Sequence, residues 1–276
     1  MQSQTLKPIF ITAIPAFTDN YFWAITSTDI NIVNSETLKP VALVDPGDAK
    51  PCIKFLEDNN LQLCAILITH HHPDHVGGIE KLKLHCHRQG WPLTIYGPKK
   101  ENIPYCDVQL VEDDVVMLSE LNANFTIIDL PGHTLGHIAY LGDDVLFCGD
   151  TLFNASAGNC SHGGDVHKMY NTFVKQLAVL PDDTAIYPGH DYIVNNLNFS
   201  LSLEPTNTFA KELLKVVSEQ TPEQRTVTTM SVEKKMNPFF RLDNDEIIDT
   251  LKDKYANQQI DNEAVFVSLR ALRDNW

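Results

Sequence analysis

The chain has 276 residues, of which 43% are hydrophobic, enough for one large domain or a domain with an appendage. Its 36 acidic and 21 basic residues give a formal net charge of −15, which argues against nucleic acid or an anionic membrane surface as a partner. No apolar run approaches the roughly 20 residues of a membrane-spanning helix, and no signal peptide is expected. The six cysteines show no metal or disulfide spacing, so we expect a cytoplasmic protein with reduced thiols. We also expect the protein to be a monomer.

Strand and helix patterns are mixed over residues 1–190. The strand patterns are rich in β-branched and aromatic residues and are separated by turn residues. A buried strand over 64–69 leads into a histidine-rich segment and then into a helix over 75–90. Gly77 and Gly78 weaken the start of that helix, which indicates that its backbone lies close to another segment. We therefore expect an α+β catalytic domain over 1–190.

Helical periodicity dominates after residue 190. Apolar positions recur at helical spacing in several successive segments. The sequence Thr-Pro-Glu-Gln beginning at Thr221 predicts a helix start, with a capping residue and a proline in the first turn. The region 191–276 is therefore expected to be an all-helical domain that binds the substrate.

A histidine cluster follows the buried strand directly. His70, His72, Asp74 and His75 lie within six consecutive positions, and imidazole and carboxylate groups are ligands of divalent metal ions. Side chains alternate along an extended segment, so His70 and His72 share a face while His71 points away. Asp74 and His75 follow where the chain turns toward the helix. One short segment can therefore serve two adjacent metal ions.

Three further candidate ligands stand at predicted strand ends, each directly after a glycine. Functional residues gather at such edges because a rigid sheet positions them and the loops leave room for a substrate. The predicted set comprises three ligands for a first ion, three for a second and one bridging carboxylate: His70, His72 and His133; Asp74, His75 and His190; and Asp150. A set without sulfur suits Zn, Fe or Mn, with Zn preferred.

Two such ions support hydrolytic chemistry. Ions roughly 3.5–4 Å apart bind a bridging water, lower its pKa toward neutrality and polarise a carbonyl oxygen. The catalytic residues are then Asp74 and Asp150, which hold the bridging hydroxide, and Asp74 also orients it by hydrogen bonding.

These motifs resemble the glyoxalase II (hydroxyacylglutathione hydrolase) family of the metallo-β-lactamase superfamily. Besides the histidine cluster, the resemblance rests on segments that span nearly the whole chain: 18–21, 43–48, 131–134, 136–137, 149–153, 187–192, 195–199, 204–205 and 237–241. It implies an αββα sandwich with a C-terminal all-helical domain and a binuclear metal site. It also implies hydrolysis of S-D-lactoylglutathione to D-lactate and glutathione, a step of methylglyoxal detoxification.

The substrate contacts of the family carry over unevenly. Tyr192 matches a tyrosine that contacts the peptide of glutathione. Arg270 and Arg273 match an Arg-x-x-Lys pair that holds the glycine carboxylate, and residues three apart share a helix face. Replacing lysine by arginine keeps the charge and a good carboxylate partner.

The glycine-rich loop over 154–165 departs from the family, which has a basic residue where this chain has Asn159. A lost charged contact costs about 1.5–3 kcal/mol. Either His162 or Lys168 supplies a substitute contact, or the chain is a related hydrolase of a different small thioester, ester or lactone. A metal-binding or partner-binding scaffold without turnover is the alternative from another class, and the complete ligand set argues against it.

Overall fold

The structure is a computed structural model that describes residues 9–27, 38–225, 227–254 and 261–276. The chain divides into two compact units, Met1–Ile128 with Ile138–Asp143, and Asp129–His137 with Asp144–Trp276. The functional boundary predicted after residue 190 is a different kind of division and stays a prediction.

The first unit is built mainly from strands. Its elements in chain order are β1 Phe10–Ala16, β2 Asn20–Thr26, β3 Lys39–Val44, α1 Ala49–Asp58, β4 Leu61–Leu67, α2 Pro73–Val76, α3 Ile79–Gln89, β5 Thr94–Pro98, β6 Val108–Leu110, β7 Val115–Leu118, β8 Ala123–Asp129 and β9 Ile138–Leu141. Strands β1 to β6 form one sheet in sequential order. The first three strands are antiparallel, and β3 to β6 are parallel. In a second sheet, β7 pairs antiparallel with β8, and β9 lies next to β8.

The core of the first unit lies between its six-stranded sheet and two helices. All seven residues of β2 are buried, as expected for a strand covered on both faces. Helix α1 buries Ala49, Cys52 and Leu56, which recur at helical spacing on one face. These side chains pack with Leu43 and Leu63 of the sheet. The sheet is thus rigid where β3 and β4 end, which is where the candidate ligands begin.

The helix predicted over 75–90 is two helices, because two glycines interrupt it between α2 and α3. The close approach that these glycines indicated is present. A Cβ atom at Gly78 would overlap the carbonyl oxygen of Pro46, and one at Gly47 would overlap the carbonyl oxygen of Asp74. The loop after β3 therefore lies directly against the segment that carries the histidine cluster.

The second unit combines short strands with most of the helices. Its elements are β10 Val145–Gly149, β11 Leu152–Phe153, β12 Ser156–Ala157, α4 Val166–Thr172, β13 Ala185–Pro188, α5 Ile193–Leu203, α6 Thr208–Ser218, β14 Thr228–Thr229, α7 Met230–Met236, α8 Asp245–Lys254 and α9 Asn262–Asp274. Strand β10 is parallel to β13, which is antiparallel to β14. Parallel strands bring their carboxyl ends to one edge of a sheet, so the residues after β10 and β13 lie close together.

Helices α5, α6 and α7 of the second unit share an apolar core. Leu197 of α5, Ala210 of α6 and Met236 of α7 are fully buried and pack together. The helix start predicted at Thr221 is confirmed as a capping box before a short 3₁₀ turn. In the part of the chain that the structure describes, no helix is long and apolar enough to cross a membrane.

Candidate active site

The histidine cluster of the first unit forms a compact group of rings. His70 follows β4, and its ring centroid lies 4.7 Å from that of His72 and 4.1 Å from that of His75. His70 and His75 are buried, although imidazole is polar. His71 turns elsewhere, with Nδ1 2.7 Å from Glu101. Its ring centroid nevertheless lies 5.1 Å from that of His72, so the His71 ring is not separated from the cluster as predicted.

Asp45 orients the histidines of this cluster. Its Oδ2 accepts from His75 Nδ1 at 3.1 Å and from the hydroxyl of Thr69 at 2.6 Å, and its Oδ1 accepts from the Thr69 backbone N–H at 2.8 Å. The Thr69 hydroxyl oxygen, having donated to Asp45, accepts from His70 Nδ1 at 3.1 Å. Both rings therefore carry their proton on Nδ1 and present Nε2 as the ligand atom.

Asp45 orients these rings although the sequence pattern indicated no role for it. It is buried and has a φ of 50°, which is left-handed and unfavourable for a residue with a side chain. One oxygen of Asp45 lies within 4.8 Å of ligand atoms of His70 and His75, so distance alone would admit it as a metal ligand. Its hydrogen bonds to Thr69 and His75 favour the orienting role. The available signal was a carboxylate placed directly after a buried strand.

Asp74 is held by a buried asparagine. Its Oδ2 accepts from Asn20 Nδ2 at 3.0 Å and lies 3.4 Å from His75 Nε2. Asn20 begins β2, within the 18–21 motif, but had not been assigned a role either. Asp74 and His75, which were predicted to share one ion, thus already point their ligand atoms at each other.

The three ligands predicted in the second unit also lie together. The Oδ2 atom of Asp150 is 3.6 Å from His133 Nε2 and 3.2 Å from His190 Nε2. Asp150 follows β10 and His190 follows β13, so the parallel pairing of these strands brings them to one edge. One carboxylate oxygen therefore lies near one histidine from each of the two predicted ligand sets, as a bridging ligand requires.

Backbone groups fix the orientation of this second set. His133 Nδ1 donates to the carbonyl oxygen of Asn159 at 2.7 Å, so its Nε2 is the ligand atom and faces Asp150. His137 Nε2 accepts from the backbone N–H of Asp150 at 3.1 Å. His137 therefore supports the candidate bridge through the backbone.

A cavity of about 450 Å³ lies in the second unit. It is lined by four of the predicted substrate contacts, two of which are the arginines of α9, and its full lining is Phe153, Ala157, Asn159, Ser161, Tyr192, Arg270, Arg273 and Asp274. The Tyr192 ring stacks on His190, with centroids 4.9 Å apart and an interplanar angle of 7°. The cavity therefore adjoins a candidate metal ligand through one aromatic stack.

The two arginines differ in how many hydrogen bonds their guanidinium groups donate to other protein groups. Arg270 donates from Nη1 to the carbonyl oxygens of Ala157 at 2.6 Å and Gly158 at 3.0 Å, and from Nε and Nη2 to Asp274 at 3.0 and 2.9 Å. Arg273 donates from Nη2 to Asn196 at 2.9 Å, and its buried Nε has no partner among the described residues. Burial lowers the pKa of both guanidinium groups, which nevertheless stay charged at neutral pH.

The remaining predicted contacts lie in different places. Asn159 lines the cavity, and its Oδ1 accepts from the backbone N–H and hydroxyl of Ser161 at 3.2 and 2.8 Å. His162 is exposed beside Ser161, with Nδ1 3.2 Å from the hydroxyl. Lys168 lines a separate cavity of about 430 Å³ along α4. The structure thus groups Asn159 with the arginines but places Lys168 elsewhere, and the roles of all these residues stay predictions.

Family models match nearly the whole chain. Residues 33–190 match the Metallo-beta-lactamase superfamily, and residues 191–276 match the Hydroxyacylglutathione hydrolase C-terminus. The chain is also similar in structure to ETHE1 from Myxococcus xanthus, with a TM-score of 0.60 and 22% identity, over 96% of this chain and 98% of that one. The fold is thus the metallo-β-lactamase fold with a helical C-terminal region, and the predicted fold class is confirmed.

Curated relatives narrow this class to a family. The chain is 37% identical over 273 residues to the hydroxyacylglutathione hydrolase of Shewanella baltica, covering 96% of this chain and 99% of that protein. It is 39% identical over 271 residues to the hydroxyacylglutathione hydrolase of Aliivibrio salmonicida, covering 97% and 100%. The chain therefore belongs to the hydroxyacylglutathione hydrolase family of the metallo-β-lactamase superfamily. The resemblance seen in the sequence and the predicted class of enzyme, a thioester hydrolase, are both confirmed.

Proposed function

We propose that this chain hydrolyses S-D-lactoylglutathione and related 2-hydroxyacylglutathiones to the 2-hydroxy acid and glutathione. The observation that carries the proposal is the cavity with two arginines in the second unit. These arginines belong to the region matched to the family's C-terminal model. At its other side the cavity reaches Tyr192, which stacks on the candidate ligand His190. A ligand with a carboxylate at one end and a thioester further along fits this combination.

The candidate ligands fit divalent metal ions in their chemistry. Three of the histidines turn Nδ1 to a protein oxygen and so present Nε2, and Asp150 places one oxygen near two rings. We assign two ions, with Zn preferred and Fe or Mn as alternatives, to the predicted set: His70, His72 and His133; Asp74, His75 and His190; and Asp150. When bound, such a pair lowers the pKa of a shared water toward neutrality and polarises the thioester carbonyl.

The carboxylates supply orientation and charge for the hydrolytic step. Asp74, fixed by the amide of Asn20, accepts a hydrogen bond from the attacking water and directs its lone pair toward the carbonyl carbon. Asp150 supplies the negative charge between the two ligand sets. The thiol of the leaving group has a pKa of about 8.5, so the thiolate departs without a strong general acid.

Residues of the cavity bind the peptide part of the substrate. Arg273, whose Nη2 donates to Asn196, is assigned to the glycine carboxylate, with Arg270 contributing its remaining Nη2 hydrogen. Tyr192 presents its ring and hydroxyl to the peptide, and the amide nitrogen of Asn159 donates to a peptide carbonyl. His162 and Lys168 stay candidates for an additional cationic contact.

The same loop motivates a second candidate function. Asn159 stands where the family has a basic residue, so the cavity lacks one cationic group on that side. A related hydrolase that acts on another small thioester, ester or lactone would need no charge there. This alternative keeps the metal centre and changes only the carrier of the acyl group.

Substrate preference separates the two candidates. The zinc-loaded protein is assayed with S-D-lactoylglutathione and with the D-lactoyl thioester of N-acetylcysteamine, which has no glycine carboxylate. We expect kcat/KM to favour the glutathione thioester by about 10-fold or more, because a charged hydrogen bond contributes about 1.5–3 kcal/mol. Equal values for the two substrates would contradict the glutathione assignment and support the alternative.

The setting of the reaction is part of the same proposal. All six cysteines are free thiols, which supports a reducing compartment such as the cytoplasm. We propose that the enzyme acts as a monomer, with residues 1–190 as the catalytic domain and residues 191–276 as the substrate-binding domain.

A further inference from the structure

We infer that Arg270 is a positioning residue for the metal centre, because it holds the 157–159 loop whose carbonyl group orients His133. This inference rests on the metal site of the proposed function but not on the identity of the thioester. It gives Arg270 a role that Arg273 does not share, in addition to the carboxylate contact that both arginines are assigned.

Arg270 has little capacity left for a ligand. A guanidinium group offers five N–H donors. In the described part of the chain, two of them reach the carbonyl oxygens of Ala157 and Gly158, and two reach the carboxylate of Asp274. The side chain is only 5% exposed, and its guanidinium carbon lies 5.7 Å from the centre of the Phe239 ring. Packing and hydrogen bonds thus fix Arg270 in one orientation.

The loop that Arg270 holds is the one that contacts two candidate metal ligands. Asn159 directly follows the two residues bound by Arg270, and its carbonyl oxygen accepts from His133 Nδ1 at 2.7 Å. At Gly158, an added Cβ atom would overlap the carbonyl oxygen of Asp150 and lie 3.4 Å from His133 Nδ1. The backbone at Gly158 therefore lies against both ligands, where a small displacement of the loop is transmitted to His133.

Arginine suits this task because its guanidinium group donates from Nη1 to two successive carbonyl groups while Nε and Nη2 bind Asp274. The loop is tied to the preceding strand region by the pairing of Ala157 with Leu152 and by the Gly158 N–H, which donates to the carbonyl oxygen of Thr151 at 3.0 Å. A further attachment comes from α9, more than a hundred residues away in the sequence. Without Arg270 the carbonyl groups of Ala157 and Gly158 lose this attachment, and the next carbonyl group, which fixes the His133 ring and its tautomer, is held less firmly.

Metal affinity is the measurement that tests the inference. Arg270→Met and the matched variant Arg273→Met are loaded with zinc, and the metal is then competed away with a chromogenic chelator. We expect Arg270→Met to lose about 10-fold or more in affinity for one of its two ions, as for other groups that orient a ligating histidine. Arg273→Met is expected to stay within about twofold of the wild type.

A second variant keeps the test decisive if Arg270→Met does not fold. Arg270→Lys retains the charge but lacks the planar guanidinium group, which holds both carbonyl groups in a fixed geometry. This variant is therefore expected to fold and to keep part of the metal affinity. Asp274→Asn, which leaves the two carbonyl contacts of Arg270 in place, is expected to retain metal as the wild type does.

Several results would overturn the inference. Wild-type metal affinity in Arg270→Met or Arg270→Lys, together with a raised KM alone, would identify Arg270 as a simple substrate contact. Equal metal loss in Arg273→Met, or a wild-type chain that binds no zinc, would also overturn it. A wild-type chain that binds two zinc ions without cleaving glutathione thioesters would contradict the proposed substrate, and the comparison of the variants would still decide the role of Arg270.

Discussion

The two units prepare their candidate ligands in different ways. In the first unit one continuous segment supplies four candidate ligands. A single buried carboxylate, Asp45, orients His75 directly and His70 through Thr69. In the second unit three ligands come from separate strand ends, and a backbone carbonyl of a loop orients His133. That loop is held from α9. The first group of candidate ligands is therefore oriented by neighbouring residues, whereas the loop that orients His133 also has hydrogen bonds from the C-terminal helix.

This difference links substrate binding with the metal centre. Helix α9 carries Arg273, which lines the cavity, and Arg270, which holds the loop on His133. The helical region that this family adds to the metallo-β-lactamase fold would then support His133 as well as provide a surface for the peptide. Substitutions in the two groups distinguish candidate ligands that are supported locally from candidate ligands that depend on α9.

The largest effect is expected at the candidate bridge. Asp150→Asn removes the charge that lies near both His133 and His190, so kcat/KM should fall by more than about 100-fold, since loss of an outer partner alone costs 10–100-fold. Bound metal, measured by elemental analysis, should fall below the wild-type content. Asp143→Asn, on the exposed turn before β10, serves as the control and should change neither quantity. Wild-type activity in Asp150→Asn would refute the bridge.

A smaller effect is expected from the carboxylate that supports the first unit. Asp45→Asn weakens the hydrogen bond that fixes His75 and should lower zinc affinity by about 10–100-fold, as measured by chelator competition. Asp48→Asn is the matched control, because Asp48 caps α1 and asparagine caps a helix equally well. If Asp45→Asn kept wild-type metal affinity, the first group would not depend on Asp45.

Arg273→Met should act on binding alone. The lost contact with a carboxylate is worth about 1.5–3 kcal/mol, so KM for the glutathione thioester should rise by about 10–100-fold. We expect kcat to change little, because the carboxylate is bound equally in the ground state and the transition state. Steady-state kinetics measure KM and kcat separately for Arg273→Met. Arg88→Met, which changes an exposed arginine of α3, is the control. A fall in kcat with unchanged KM would count against the assignment.

The smallest effect is expected at Glu233 of α7, which supports the loop after β11. Its carboxylate accepts from Ala155 N–H at 2.9 Å, from Thr228 at 2.7 Å and from Asn237 at 3.0 Å. Glu233→Gln places an amide NH₂ against these donors and should lower the free energy of unfolding by about 1–3 kcal/mol. Denaturant titration followed by circular dichroism measures the difference.

The pH dependence of that difference has a defined sign. Burial raises the pKa of the Glu233 carboxyl, although the hydrogen bonds from Thr228 and Ala155 oppose the rise. A raised pKa in the folded state contributes stability that is full below the unfolded pKa of about 4.3 and is lost as the pH rises through the folded pKa. The stability gap between wild type and Glu233→Gln should therefore narrow as the pH is raised. A gap that widens would contradict the raised pKa.

The sequence predicted those features that depend on neighbouring residues. The histidine cluster follows its strand directly, and the His133, Asp150 and His190 positions could be inferred from glycines at strand ends. The orienting roles of Asp45 and Asn20 were missed, because they depend on which side chains the folded loops bring together. The short helix α7 and the division between α2 and α3 were missed for a related reason, since packing fixes elements too short to show a clear period.

The hydrogen bonds from Arg270 to the loop carbonyl groups could not be inferred from its spacing to Arg273. The spacing correctly places both residues in the lining of one cavity. The carbonyl groups that occupy Arg270, however, lie 113 and 112 positions earlier in the chain. A helix pattern identifies the face that a side chain shares, while its hydrogen-bond partners are set by the tertiary fold.

Anomalous scattering from crystals of the metal-loaded enzyme tests the central claim most directly. Data collected on both sides of the zinc and iron absorption edges locate and identify the bound ions. We predict two peaks, one contacted by His70, His72 and His133 and the other by Asp74, His75 and His190, with the carboxylate of Asp150 contacting both. A single peak, or two peaks with Asp150 bound to neither, would contradict the proposed binuclear centre.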